Sequence, residues 1–301
     1  MGNKIIVLEK VLDGLMRRYK DRVPDVSAII STMINESVIS NENEIENDHI
    51  AFRTLGVPHL GIASFEKIFL HYGYTKRDHY FFEQKKLDAC WYAPLDEKYP
   101  RIFISELRVE DLSSKAQEII YNYTKNISSD PVDSLDLDDA AVVDNFLHSA
   151  LWQTPTLHDY ETLSSESEYA AWVIYNRYYL NHFTISVHDL KDGYNTIELF
   201  NQFLEVHGFT LNNAGGKIKI SPDNYLLQSS TVAKMVEARF AGGEKILIPG
   251  SYVEFAERRV LDGYKYLDAK DVKRHHRREG FEAGNADKIF ESTYKEQTVR
   301  S

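Results

Sequence analysis

Apolar residues recur at helical spacing over residues 4–21, placing Ile5, Leu8, Val11, Leu12 and Leu15 on one face. A second helix opens at the start signal Pro24-Asp25 and runs to about Val38. From residue 48 the pattern shortens. It predicts a strand (DHIAFRTL), a helix (GIASFEKIFLHYGY) and three strands (DHYFFEQK, LDACWYAPL and RIFISELRV). From residue 181 the same order returns. A strand (NHFTISVHDL) precedes a helix (TIELFNQFLEVHGF), and strands follow at GKIKISP, YLLQSSTVAK and GSYVEFAERR.

The agreement extends to single positions. Asp48-His49 opens the first unit and Asn181-His182 the second, and each helix closes on a glycine, Gly73 or Gly208, where a left-handed cap is wanted. The last strands carry Ile104-Ser105-Glu106-Leu107 and Tyr252-Val253-Glu254-Phe255, which pairs Glu106 with Glu254. A repeat of this length predicts two copies of one supersecondary unit. The fold class expected is α+β: two strand–helix–three-strand modules forming a curved sheet, with N-terminal and inserted helices. One catalytic domain is expected over residues 1–301. It comprises a helical segment (1–45), a first module (47–110), an acidic helical insertion (111–180), a second module (181–260) and a closing segment (261–301). Within the insertion, Ser165 and Glu168 have capping-box spacing. Ala241-Gly242-Gly243 marks a turn before the last strand.

Composition narrows the classes. The net charge of -11 works against nucleic-acid binding, and the one basic run, KRHHRR at 273–278, reads first as a solvated segment rather than a phosphate-binding patch. The single cysteine, Cys90, permits no intrachain disulfide and no multi-cysteine zinc site, which suits a reducing compartment. No run of 18 apolar residues predicts a membrane span, and the amino-terminal stretch reads as an amphipathic helix and not a signal peptide. The expected location is the cytoplasm. The oligomeric state stays open.

Alternate residues of a strand share a face, so His49, Ala51 and Arg53 stand together, as do His182, Thr184 and Ser186. Glu254 shares its face with Tyr252 and Ala256. Two histidines and a carboxylate on separate strands of a curved sheet are the parts of a facial triad, which leaves open metal positions suited to non-haem Fe(II) and dioxygen. Plainer readings compete: a hydrogen-bonded strand histidine, or an ion pair of Glu254 with Arg258 or Arg259. Other patterns are missing. There is no H-E-x-x-H and no phosphate-binding glycine loop, and His158-Asp159, His188-Asp189 and His275-His276 are neighbours that point apart on a strand.

The blocks DHIAFRTLG, NHFTISVH, GSYVEFAERR and GFEAGNADKIFEST resemble the signature blocks of the 2-oxoadipate dioxygenase/decarboxylase (hydroxyglutarate synthase) family, over residues 47 to 295. That family is similar to the vicinal oxygen chelate superfamily, whose modules match the repeat. The resemblance implies Fe(II) as cofactor, held by His49, His182 and Glu254, with Arg53 as the substrate-binding arginine. It implies conversion of 2-oxoadipate and O2 to 2-hydroxyglutarate and CO2 in lysine catabolism, with partners limited to a small 2-oxoacid and O2. Asn285 or Asp287, at a helix start after Gly284, would add a substrate contact. Glu106 would support the metal from behind or serve the structure. Rival readings are a ring-cleaving dioxygenase or glyoxalase-like enzyme, for which Glu106 would be a fourth ligand, and a binding protein without catalysis.

Overall fold

The computed structural model describes residues 2–300. Two N-terminal helices, α1 (Gly2–Arg22) and α2 (Pro24–Asn35), precede the first strand. The first module runs β1 (Asn47–Gly56), α3 (Ile62–His71), β2 (Thr75–Phe82), β3 (Leu87–Ala93) and β4 (Arg101–Arg108). Four helices follow: α4 (Ser114–Thr124), α5 (Ala140–His148), α6 (Leu157–Glu166) and α7 (Glu168–Asn176). The second module runs β5 (His182–Ser186), α8 (Ile197–Val206), β6 (Lys219–Ile220) and β7 (Leu226–Ser230), then β8 (Met235–Arg239), β9 (Lys245–Pro249) and β10 (Tyr252–Arg258). Helices α9 (Ala283–Phe290) and α10 (Lys295–Thr298) close the chain.

The expected modules meet in one curled sheet of order β2-β3-β4-β1-β5-β10-β7-β6. Its two halves mirror each other. β1 pairs parallel to β4, β5 pairs parallel to β10, and β1 and β5 join antiparallel at the centre. Burial explains the central position of β1: every residue from Asp48 to Leu55 is buried, so both faces must be covered. Phe52 packs on Phe65 and Phe69 of α3, with ring centroids 4.7 and 5.7 Å apart, and Phe255 of β10 meets Phe200 of α8 at 5.2 Å. The helices therefore cover the convex face. The concave face is left to His49, Ala51 and Arg53.

Both helix ends follow the sequence reading, since Gly73 and Gly208 take φ of 90° and 84°, a conformation that suits a residue without Cβ. Three local expectations are corrected. β8 and β9 form a separate two-stranded hairpin, with Ala241–Gly243 as its turn, inserted between β7 and the last strand. The N-cap of α7 is Ser167, which accepts from the Ala170 N–H, and Ser165 lies inside α6. α9 begins at Ala283 and so already contains Gly284 and Asn285.

The basic run is also more than a solvated segment. Arg274 donates to the carbonyls of Glu97 and Tyr99, Arg277 to that of Arg258, and Arg278 to those of Glu279 and Phe281. Its guanidiniums tie the closing segment to both modules by satisfying their loose carbonyls.

Candidate active site

β1, β5 and β10 bring His49, His182 and Glu254 together, all at least 95% buried. Their nearest donor atoms lie within 4.8 Å of one another. His182 Nε2 is 3.0 Å from Glu254 Oε2 and 3.3 Å from His49 Nε2, and His49 Nε2 is 3.5 Å from Glu254 Oε1. Ligand atoms at right angles on a metal, each about 2.1 Å away, sit about 3 Å apart, so these spacings fit one face of a coordination sphere.

The sheet sets this geometry by register. His182 faces Ala51 on one side and Tyr252 on the other, while Thr184 faces both His49 and Glu254. The residues before the histidines fix the rings. His49 Nδ1 lies 2.8 Å from Asp48 Oδ2, and His182 Nδ1 lies 3.1 Å from Asn181 Oδ1. With Nδ1–H donating outward, each Nε2 lone pair points to the centre, as a metal ligand requires.

Charge on this cluster is compensated. Burial disfavours the Glu254 carboxylate, but the two facing imidazoles outweigh that and hold its pKa well below the usual range. Burial also opposes charge on His49, yet the Glu254 and Asp48 carboxylates raise its pKa; for His182 burial prevails and lowers it. Asp48 is fully buried too. Arg258 and Arg101 overcome the cost of its burial and keep its carboxyl well below the usual range. Arg258 binds it in a fork at 2.7 and 2.9 Å, and Arg101 at 3.0 Å.

Gln228 on β7 donates to Glu254 Oε1 at 2.6 Å, and Asn285 stands behind it, 3.0 Å from Gln228 Oε1. Asn285 thus reaches the cluster only through Gln228. Asp287 turns away, into ion pairs with Lys85 and Lys288 at 3.0 and 3.3 Å. Phe281 stacks edge-on against His49 with centroids 4.8 Å apart, and Phe103, Tyr252, Ala286, Ile289 and Phe290 complete the lining. The cavity over the cluster measures about 20 Å³, room for about one water.

The register also corrects the repeat. His49 faces Arg101 and His182 faces Tyr252; two residues on, Ala51 faces Phe103 and Thr184 faces Glu254. Phe103, not Glu106, is therefore the counterpart of Glu254. Glu106 points to the convex face, where Oε2 accepts from the Ile62 N–H of α3 at 2.7 Å. Its true partner in the second module is Glu257, which accepts from the Ile197 N–H of α8 at 2.8 Å. Both carboxylates anchor a helix N-terminus. Glu106 has no contact with the cluster.

Arg53 lies further along β1, 1% exposed. It donates to Thr293 Oγ1 at 2.9 Å and to the Phe290 carbonyl at 3.0 Å, with its guanidinium carbon 5.1 Å from the ring centroids of both Tyr169 and Trp172. No carboxylate of the described residues lies within ion-pair distance of it. Tyr169 and Trp172 come from α7, a role for the insertion that no local sequence signal marks.

This fold has close counterparts. The family described as 2-oxoadipate dioxygenase/decarboxylase matches residues 11–272. The chain belongs to that family. Among 2-oxoadipate dioxygenase/decarboxylase relatives, the chloroplastic protein of Arabidopsis thaliana is 43% identical over 301 residues, covering 96% of this chain and 78% of its own length. The structure of hydroxyglutarate synthase from Oryza sativa in complex with 2-oxoadipate superposes with TM-score 0.89 at 41% identity, covering 100% of this chain and 96% of that one. A protein from Ralstonia eutropha JMP134 described as of the glyoxalase superfamily shares the fold, with TM-score 0.71 at 24% identity over 90% of this chain and 84% of that one. The 2-oxoadipate dioxygenase/decarboxylase family and the two-module curved sheet expected from the sequence are both found, and no helix among the described residues is long and apolar enough to cross a membrane.

Proposed function

We propose that this protein converts 2-oxoadipate and O2 to 2-hydroxyglutarate and CO2 at an Fe(II) ion held by His49, His182 and Glu254. Two imidazoles and one carboxylate suit a non-haem iron that keeps positions open for a chelating substrate and for O2. When bound, the metal activates dioxygen and orients the 2-oxoacid that is oxidised and decarboxylated. The chain's residues do the rest. Asp48 and Asn181 hold the histidines in the ligating tautomer, and Gln228 fixes one oxygen of Glu254. Phe103, Phe281 and Phe290 exclude water from the reacting carbons.

The observation that carries the substrate class is Arg53. A buried guanidinium without an acid beside it is costly unless a ligand supplies the anion. It stands on the face of β1 that also bears His49, four residues away, so one strand presents both a metal ligand and a carboxylate grip. A diacid with a 2-oxo end fits that pair. Asn285 supports Gln228 instead of meeting the substrate, and of the substrate contacts expected from the sequence Arg53 is the one retained.

The site draws on the first module, the second module and the closing segment, so residues 1–301 are read as one catalytic unit. The cytoplasm, like the plastid named for the plant relative, is a compartment suited to a chain with one buried free cysteine. Fe(II)-loaded protein tested in air against a panel of 2-oxoacids is expected to release CO2 fastest from 2-oxoadipate. Equal rates with 2-oxoacids lacking the second carboxylate would remove Arg53 from the substrate site.

A further inference from the structure

Among the buried polar atoms without a hydrogen-bond partner are Arg53 Nε and the Tyr252 hydroxyl, which lie side by side. Their residues are 1% and 0% exposed. Buried groups of this kind are normally satisfied, and each that is not costs the fold free energy. The hydroxyl lies against the Arg53 guanidinium, but the contact falls short of hydrogen-bond geometry and leaves both protons without an aligned acceptor. Burial pushes the phenol pKa up, so the hydroxyl keeps its proton. An oxygen acceptor supplied from outside would answer both groups at once.

Tyr252 is also placed to connect the two ends of the site. It sits on β10 two residues before Glu254, on the same face, and its ring packs on that of His182 with centroids 4.9 Å apart. It therefore lines the cavity at the cluster with its ring and reaches Arg53 with its hydroxyl. Its counterpart in the first module, Arg101, is satisfied within the protein by Asp48 and Glu279. Of these two register counterparts only Tyr252 is left without a partner.

We propose that Tyr252 is a substrate-positioning residue whose hydroxyl joins Arg53 Nε in donating to the far carboxylate of a 2-oxo diacid, and so selects diacids over 2-oxo monoacids. The inference rests on the proposed reading of the site. Its test is Tyr252→Phe, which removes the hydroxyl and keeps the ring against His182. Anaerobic calorimetry on the Fe(II)-loaded protein compares 2-oxoadipate with 2-oxohexanoate, the same chain ending in a methyl group. The variant is expected to bind 2-oxoadipate roughly ten- to a hundredfold more weakly than wild type, the range for a hydrogen bond to a charged group. Its affinity for 2-oxohexanoate is expected to be unchanged. Its Tm should stay close to that of wild type, because only the poorly aligned contact with Arg53 is lost. Unaltered affinity for 2-oxoadipate would overturn the role of Tyr252, as would equal weakening toward both acids with a fall in Tm. Wild-type protein that binds neither acid would overturn the reading of the whole site, and this inference with it.

Discussion

Arg53 carries a fixed charge into a compartment walled by Tyr169, Trp172 and Phe290, where solvent cannot screen it. Its planar fork already holds Thr293 and the Phe290 carbonyl, bonds that a lysine ammonium cannot reproduce in the same directions. Arg53→Lys is therefore expected to raise KM and lower turnover, cutting kcat/KM roughly ten- to a hundredfold. Metal content should stay as in wild type, so steady-state kinetics paired with iron analysis checks the assignment. At this scale much was legible. His49 and His182 stand out because they open repeated strands, and strand alternation places Arg53 beside His49. Tyr169, Trp172 and the unpartnered Tyr252 hydroxyl were not legible. Tyr169 and Trp172 reach the site across more than 60 residues of chain, and the Tyr252 hydroxyl meets Arg53 of the other module; no periodicity reports such contacts.

The two modules spend equivalent carboxylates on structure and reserve one for the site. Glu106 and Glu257 each take the first N–H of a helix on the convex face, where an N-terminus has unsatisfied donors. Glu106→Gln is expected to cost about 1 kcal/mol of stability, the scale of a helix-end partner. Iron content and turnover should not change; loss of bound metal would restore the four-ligand, glyoxalase-like alternative. The element order of both modules was legible because strand and helix periods differ. The register of the last strands was not, because Ile104-Ser105-Glu106-Leu107 and Tyr252-Val253-Glu254-Phe255 look alike while being offset by three residues in space. Only the ladder shows that Phe103 replaces a ligand. The β8–β9 hairpin escaped for a related reason: no glycine or proline stands between Tyr225 and Lys234, so the end of β7 at Ser230 leaves little trace in the sequence.

The molecule as a whole is stitched together by buried polar groups between modules, and these give it a pH signature. His188 sits buried just after β5 and accepts from the Arg258 N–H at 3.2 Å. Burial, then the Arg277 guanidinium, push its pKa down to about 3. The unfolded chain, with a histidine pKa near 6.5, takes up this proton first as the medium is acidified. The His188 contribution is thus complete above about pH 6.5 and is lost as pH falls from there toward 3. Urea unfolding is expected to show stability dropping between pH 7.5 and pH 5, by up to about 2 kcal/mol from this residue, and His188→Gln should flatten that slope. An identical slope in the variant would assign the loss to other groups.

At the same scale, residues from both modules and the closing segment are proposed to assemble one oxidative decarboxylase. Anaerobic loading with Fe(II), addition of 2-oxoadipate and admission of air tests that proposal directly. O2 uptake is expected to be matched in equal amounts by CO2 and 2-hydroxyglutarate. Iron-loaded protein that consumes no O2 with 2-oxoadipate, or consumes it without forming 2-hydroxyglutarate, would contradict the proposal.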